Sequence, residues 1–229
     1  MMDGIGSNAA ERRRSRAGFA FERTLAVEVW FDFVCPWCFI GKRNLDTALQ
    51  TLVAKRPGTL VELQWHPHPL LPQTPAAGLP FAEFYRERLG SDAAVALRQA
   101  QVQDAARRAG TAIAFDRIQV LPTTLPAHRL ALQAEREAHD GGKHAGAVIE
   151  AVFHEYFLLG QDIGQQSVLQ AIAARCGVIG DPDASPLPKS VPIAEGLPFF
   201  RFGGVVSVVG AQAPEVLLAA MERALDARG

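Results

Sequence analysis

The feature that most restricts the fold is residues 25–34, LAVEVWFDFV, which run straight into Cys35-Pro36-Trp37-Cys38 and then into a helical pattern. Valine and aromatic side chains with partial alternation favour a strand that delivers the chain to Cys35. Pro36 is tolerated in the first turn of a helix. Leu45, Ala48, Leu49, Leu52 and Val53 then recur at helical spacing until Lys55-Arg56-Pro57-Gly58 stops it. Residues 59–66, TLVELQWH, read as a second strand, giving a strand-helix-strand unit with a right-handed crossover.

From about 71 to 180 the pattern is helical, with no strand expected. Phe81 to Leu89 predicts one helix, and Ser91-Asp92 as start with Gly110 as stop predicts a second. A third begins near Pro126 and reaches Glu137. A fourth, 144–159, places Val148, Ile149, Val152, Phe153, Tyr156 and Phe157 on one face, and a fifth carries Val168, Leu169, Ile172, Ala173 and Cys176. Residues 181–192, DPDASPLPKSVP, hold four prolines and read as an extended connector. Beyond it, Pro198 to Phe202, Gly203-Gly204 and Val205 to Val209 form a hairpin signal, and Pro214-Glu215 opens a last helix.

Composition narrows the function classes. A net charge of −1 and a hydrophobic fraction of 48% give no reason to expect nucleic acid as a partner. The one basic run, Arg12 to Arg16, reads as a solvated tail. Phe19, Ala20 and Phe21 are followed at once by Glu22 and Arg23, too short an apolar stretch for a secretory signal, and no stretch suits a membrane span. The expectation is therefore a cytoplasmic protein, where structural disulfides are rare. Two of only three cysteines then form a Cys-x-x-Cys pair, which in a reducing compartment is catalytic or metal-binding.

Disulfide exchange needs one ionised, accessible thiol to attack and a second close enough to resolve the mixed disulfide. A strand leading to a helix N-terminus supplies both: Cys35 meets free backbone N–H groups and the positive end of the helix dipole, and Cys38 follows one turn on. Pro36 and Trp37 set the turn, with Trp37 as a contact for a partner. Asp32 sits in an apolar strand and is either a proton acceptor for Cys38 or a solvated strand residue. Lys42 and Arg43 add positive potential or are solvated. Zinc is the competing use of the thiols, with His66 and His68 completing the set; the favoured assignment has no metal, with both histidines at the surface or boundary of the strand end. Cys176 reads as a small core residue.

FDFVCPWCFIGKRNL at 31–45, PTTLPAHRL at 122–130, GLPFF at 196–200 and VGAQAPEVL at 209–217 together resemble the FrnE-type branch of the DsbA-like thioredoxin-fold oxidoreductases. The resemblance implies an α/β fold in which a thioredoxin-like core (βαβ…ββα) carries an all-helical insertion. It divides the chain into a flexible tail at 1–24, a thioredoxin-like domain at 25–70 and 193–229, and an insertion at 71–192. It also implies a cis proline facing the cysteines, at Pro198, which leaves the backbone of Leu197 free to pair with an extended substrate. The chain departs from the pattern in its short connector, at Thr123 and at Val209. The implied activity is thiol-disulfide oxidoreductase or isomerase, with Cys35 attacking and Cys38 resolving. The implied partner is a protein or small-molecule disulfide or thiol, with no resident cofactor, glutathione as a redox partner, and a monomer or homodimer as the assembly. The alternative is a glutathione-dependent isomerase or transferase of the kappa and hydroxychromene-carboxylate type, although those proteins generally place Ser where Cys35 stands.

Overall fold

A computed structural model of the chain describes residues 23–137, 141–180, 187–188 and 196–227. In chain order the elements are β1 (Arg23–Phe31), α1 (Pro36–Lys55), β2 (Thr59–Pro67), β3 (Leu79–Pro80), α2 (Phe81–Leu89) and α3 (Asp92–Arg108). There follow β4 (Val120–Leu121), α4 (Leu125–Glu137), α5 (Lys143–Phe157), α6 (Gln166–Cys176), β5 (Phe199–Phe202), β6 (Val206–Val209) and α7 (Pro214–Asp226).

Alternation along β1 explains its central place. Leu25, Val27, Val29 and Phe31 are buried on one face. β1 pairs in parallel with β2 from Arg23↔Thr59 to Phe31↔Pro67, and antiparallel with β5 from Val27↔Phe202 to Trp30↔Phe199. The sheet order is β2-β1-β5-β6, the thioredoxin-like arrangement that the resemblance implies. α1 and α7 pack on each other, and α7 also packs on β1, β5 and β6. α4, α5 and α6 form a second helical group, and α5 reaches α1 and β2.

An aromatic seam joins α1 to the helical group: Phe39 on α1 stacks on Phe153 and Phe157 of α5 at centroid distances of 5.3 and 5.7 Å. Phe31 and Phe33 continue the seam toward Phe153 at 6.1 and 5.2 Å. Each such ring, fully buried, contributes about 1.5–3 kcal/mol of transfer free energy, so the seam ties α5 to the base of α1 through packing. One continuous hydrophobic cluster runs from Leu25 on β1 through Ile172 on α6 to Leu225 on α7.

Several expectations need correction. β1 begins at Arg23, so Arg23 and Thr24 belong to the sheet and not to the tail; residues 1–22 lie outside the described ones. β1 also ends at Phe31, because Asp32 turns the chain: its carbonyl accepts the Cys35 N–H at 3.2 Å. The 71–180 stretch holds two short strands, with Leu79 paired to Leu121 and Pro80 to Val120, where no strand was expected. Two-residue pairings give no periodic signal to read. Most of the proline-rich connector, 181–186 and 189–192, lies outside the described residues. The hairpin turns through Gly203 and Gly204, both at positive φ (59° and 76°), a conformation glycine adopts at little cost. Among the described residues no helix is long and apolar enough to cross a membrane.

Candidate active site

Cys35 is the N-cap of α1, with extended backbone (φ −88°, ψ 109°) and no side-chain hydrogen bond to the helix end. Pro36 occupies the first turn, which holds no acidic residue. The sulfur therefore lies at the positive end of the helix dipole with no carboxylate in that turn to offset it. Both cysteines are buried, Cys35 at 7% exposure and Cys38 at 2%, so Cys35 is the more accessible of the two. Burial, reinforced by its hydrogen bond to Cys35 and by the Cys35 charge, pushes the Cys38 thiol well above its usual range. Trp37 is half-buried and packs against the core.

Asp32 is not a solvated strand residue. It is fully buried, and its side chain collects three donors. Oδ1 accepts the Phe33 N–H at 2.8 Å and lies 3.0 Å from His128 Nε2, while Oδ2 accepts the Leu70 N–H at 2.8 Å. The Asp32 backbone N–H also points at the Cys38 sulfur, so this residue lies directly beneath the thiol turn.

The other side of α1 meets Pro198. The Leu197-Pro198 bond is cis. Pro198 is buried and Leu197 half-buried. A Cβ built on Gly41, three residues beyond Cys38, would stand 2.6 Å from Pro198 Cγ and 3.2 Å from Phe200 Cζ. Gly41 thus allows the proline segment to close on α1. The Pro198 carbonyl accepts the Gly210 N–H at 2.7 Å, and the loop that carries Gly210 is tied to α1 by Asn44 Nδ2, which donates to the Gln212 carbonyl at 2.9 Å. Pro198 immediately precedes β5 and does not start it.

The remaining candidates have structural partners. Lys42 is buried and lies 2.8 Å from Asp46 and 2.9 Å from Glu150, and Arg43 lies 3.1 Å from Glu150, so their charges are balanced locally. His66 is stacked on Trp30 at 4.3 Å and lies 3.6 Å from Glu28, a boundary position. The His68 N–H donates to the Phe31 carbonyl at 2.9 Å. Among the described residues no group of three or more His, Cys, Asp or Glu is placed to hold a metal ion. Cys176 is partly buried at the edge of the core.

Two residues near the thiols escaped the sequence reading. His128 on α4 is fully buried against Asp32; a histidine among Ala127, Leu130 and Ala131 on an inward helix face was the available signal. Tyr85 on α2 lies within range of the Cys35 charge. Burial first, then that charge, hold its phenol up to about 12, so it is a neutral donor at physiological pH. Nothing in the spacing of α2 foretold that approach.

A sequence model of the DSBA-like thioredoxin domain matches residues 26–185. The uncharacterized protein YwbO of Bacillus subtilis is 27% identical over 157 residues, 69% of this chain and 68% of that one. In fold, the chain is similar to the crystal structure of a probable DsbA oxidoreductase from Streptomyces coelicolor, at a TM-score of 0.71 and 23% identity over 90% of this chain and 92% of that chain. It is also similar to 2-hydroxychromene-2-carboxylate isomerase, at a TM-score of 0.53 and 14% identity over 86% of this chain and 95% of that chain. These two likenesses speak for the fold. The sequence match spans well over half of the chain and includes both cysteines, and on that ground the chain belongs to the DSBA-like thioredoxin domain family.

Proposed function

We propose that the protein is a thiol-disulfide oxidoreductase in which Cys35 attacks and Cys38 resolves. The observation that carries this reading is the asymmetry of the pair: Cys35 caps α1 and is the more exposed of the two, while Cys38 is enclosed in the first turn and kept as a thiol. The Cys35 thiolate attacks one sulfur of a substrate disulfide, forming a Cys35 mixed disulfide and releasing one substrate thiolate. The Cys38 sulfur, losing its proton, then attacks the Cys35 sulfur. The new Cys35–Cys38 bond forms, the bond to substrate breaks, and the second substrate thiolate leaves.

Asp32 is the proton acceptor for Cys38 in this scheme, because it is the carboxylate whose backbone and charge both reach that thiol. Pro198 closes the site opposite Gly41, where it offers no N–H or reactive side chain to the sulfurs, and the Leu197 backbone is the pairing edge for an extended substrate. The substrate is a protein or small-molecule disulfide. Glutathione returns the pair to the dithiol state, which suits a reducing cytoplasm.

The test is an equilibrium titration of the purified protein in glutathione redox buffers. The expected result is a single two-electron couple that disappears in Cys35→Ser and Cys38→Ser. A pair that does not interconvert with glutathione over the buffer range contradicts the reading.

A further inference from the structure

His128 is a fully buried histidine that the dithiol scheme does not use. Its Nε2 is 3.0 Å from Asp32 Oδ1, and its Nδ1 has no hydrogen-bond partner. The ring is walled by Phe31 and Phe33 at centroid distances of 5.1 and 4.7 Å. Only one neutral tautomer suits this setting. With the single proton on Nε2, the ring donates to the carboxylate and leaves a bare lone pair facing hydrocarbon. A proton on Nδ1 would instead bury an N–H with nothing to accept it, the rarer and costlier defect.

We propose that His128 is a positioning residue for the resolving step: its Nε2–H, with the Phe33 and Leu70 amides, holds the Asp32 carboxylate fixed beneath Cys38 as the acceptor of the thiol proton. The inference rests on the dithiol reading and deepens it. In the step, the Cys38 S–H bond breaks and its proton passes to the Asp32 carboxylate. The Cys38 sulfur bonds to the Cys35 sulfur, and the bond from Cys35 to substrate breaks. The substrate leaves as a thiolate that takes up a proton from water, and Asp32 returns its own proton to water. The oxidant is the substrate disulfide itself.

Other titratable groups near the carboxylate do not mask the effect. Asp32's charge reaches Cys38 on α1, Tyr85 on α2 and Tyr156 on α5, and Arg88 acts on Tyr85. Both phenols are raised, Tyr85 to about 12, beyond a working pH range. Cys35 carries no ionisable proton while it is in the mixed disulfide. The release rate therefore reports the acceptor.

The experiment loads Cys35 with glutathione from oxidised glutathione and follows release as a function of pH, in wild type, His128→Phe and His128→Gln. Capture by Cys35 is measured separately in each background with Cys38→Ser. His128→Phe keeps a ring but no donor, and should slow release on the order of tenfold near neutral pH, with capture unchanged. His128→Gln keeps an N–H donor and should recover most of the loss. Release as fast as wild type in folded His128→Phe, or a glutamine variant as impaired as the phenylalanine one, overturns the inference while leaving the dithiol reading intact. Absence of capture in Cys38→Ser overturns both. Nitrogen NMR of wild type gives a reading independent of the variants' folding: the neutral ring of His128 should be the Nε2–H tautomer, and an Nδ1–H tautomer overturns the inference.

Discussion

Gly41 and Pro198 are in contact across the thiol-bearing helix and the segment that leads into β5, so close that a Cβ on Gly41 would stand 2.6 Å from Pro198 Cγ. Gly41→Ala should therefore push the two apart or strain α1. Overpacking of this kind costs about 1–3 kcal/mol, and urea unfolding should show a loss in that range together with slower disulfide exchange. Gly146→Ala is the control, since its Cβ meets nothing nearer than 3.4 Å and helix propensity favours alanine by up to about 1 kcal/mol. Equal stability of the two variants would contradict the close approach at Gly41.

The thiols should differ sharply toward an alkylating agent. Burial and the adjacent Cys35 sulfur raise Cys38 well above the usual range, so at neutral pH iodoacetamide should label Cys35 and spare Cys38. In Cys35→Ala the hydrogen bond and charge that help raise Cys38 are gone, and Cys38 should ionise at a lower pH than in wild type, although burial still holds it up. Mass spectrometry of peptides labelled across a pH series checks both statements. Faster labelling at Cys38 would reverse the assigned roles.

Acid should weaken the sheet through the Glu28–Arg201–His66 cluster on β1, β5 and β2. Arg201 Nε donates to Glu28 Oε2 at 2.6 Å and its hydrogen bond lowers the Glu28 carboxyl, while burial lowers His66. Both folded values are depressed. The folded state thus resists protonation that the unfolded chain accepts near about 6.5 for His and about 4.3 for Glu. Stability from each group is full above those values and is lost as pH falls through the lower folded ones. His66→Phe keeps the stack on Trp30 and removes the titration, so its unfolding free energy should fall less steeply below about pH 6.5 than that of wild type. Parallel slopes for the two proteins would contradict this.

The sequence read best where a period or a turn residue is in play. α1, α2 and α5 were legible because apolar residues recur at helical spacing, and the hairpin because Gly203-Gly204 separates two apolar runs. The Cys35–Cys38 turn was legible because the chemistry and the local structure share one short segment. What stayed hidden depends on approach between distant segments. Asp32 read equally well as solvated or buried, since its burial comes from α4 and from residue 70, 38 positions away. His128 stands 96 positions from the carboxylate it contacts, and Tyr85 reaches the thiols from a helix whose pattern gives only its own amphipathic face. The sequence pattern alone also carried β1 to Val34, because Phe33 and Val34 are apolar; the Asp32 turn that ends the strand is set by hydrogen bonds.

Trapping of the mixed disulfide tests the central claim most directly. Cys38→Ser and Cys35→Ser are each incubated with oxidised glutathione, and the intact protein is weighed. Cys38→Ser should gain one glutathione that peptide mapping places on Cys35 and that added thiol releases, whereas Cys35→Ser should gain little on Cys38, which is buried and raised; Cys176 is present in both variants and its labelling cancels in the comparison. Equal capture by the two variants, or none by Cys38→Ser, would contradict the assignment of Cys35 as the attacking thiol and Cys38 as the resolving one.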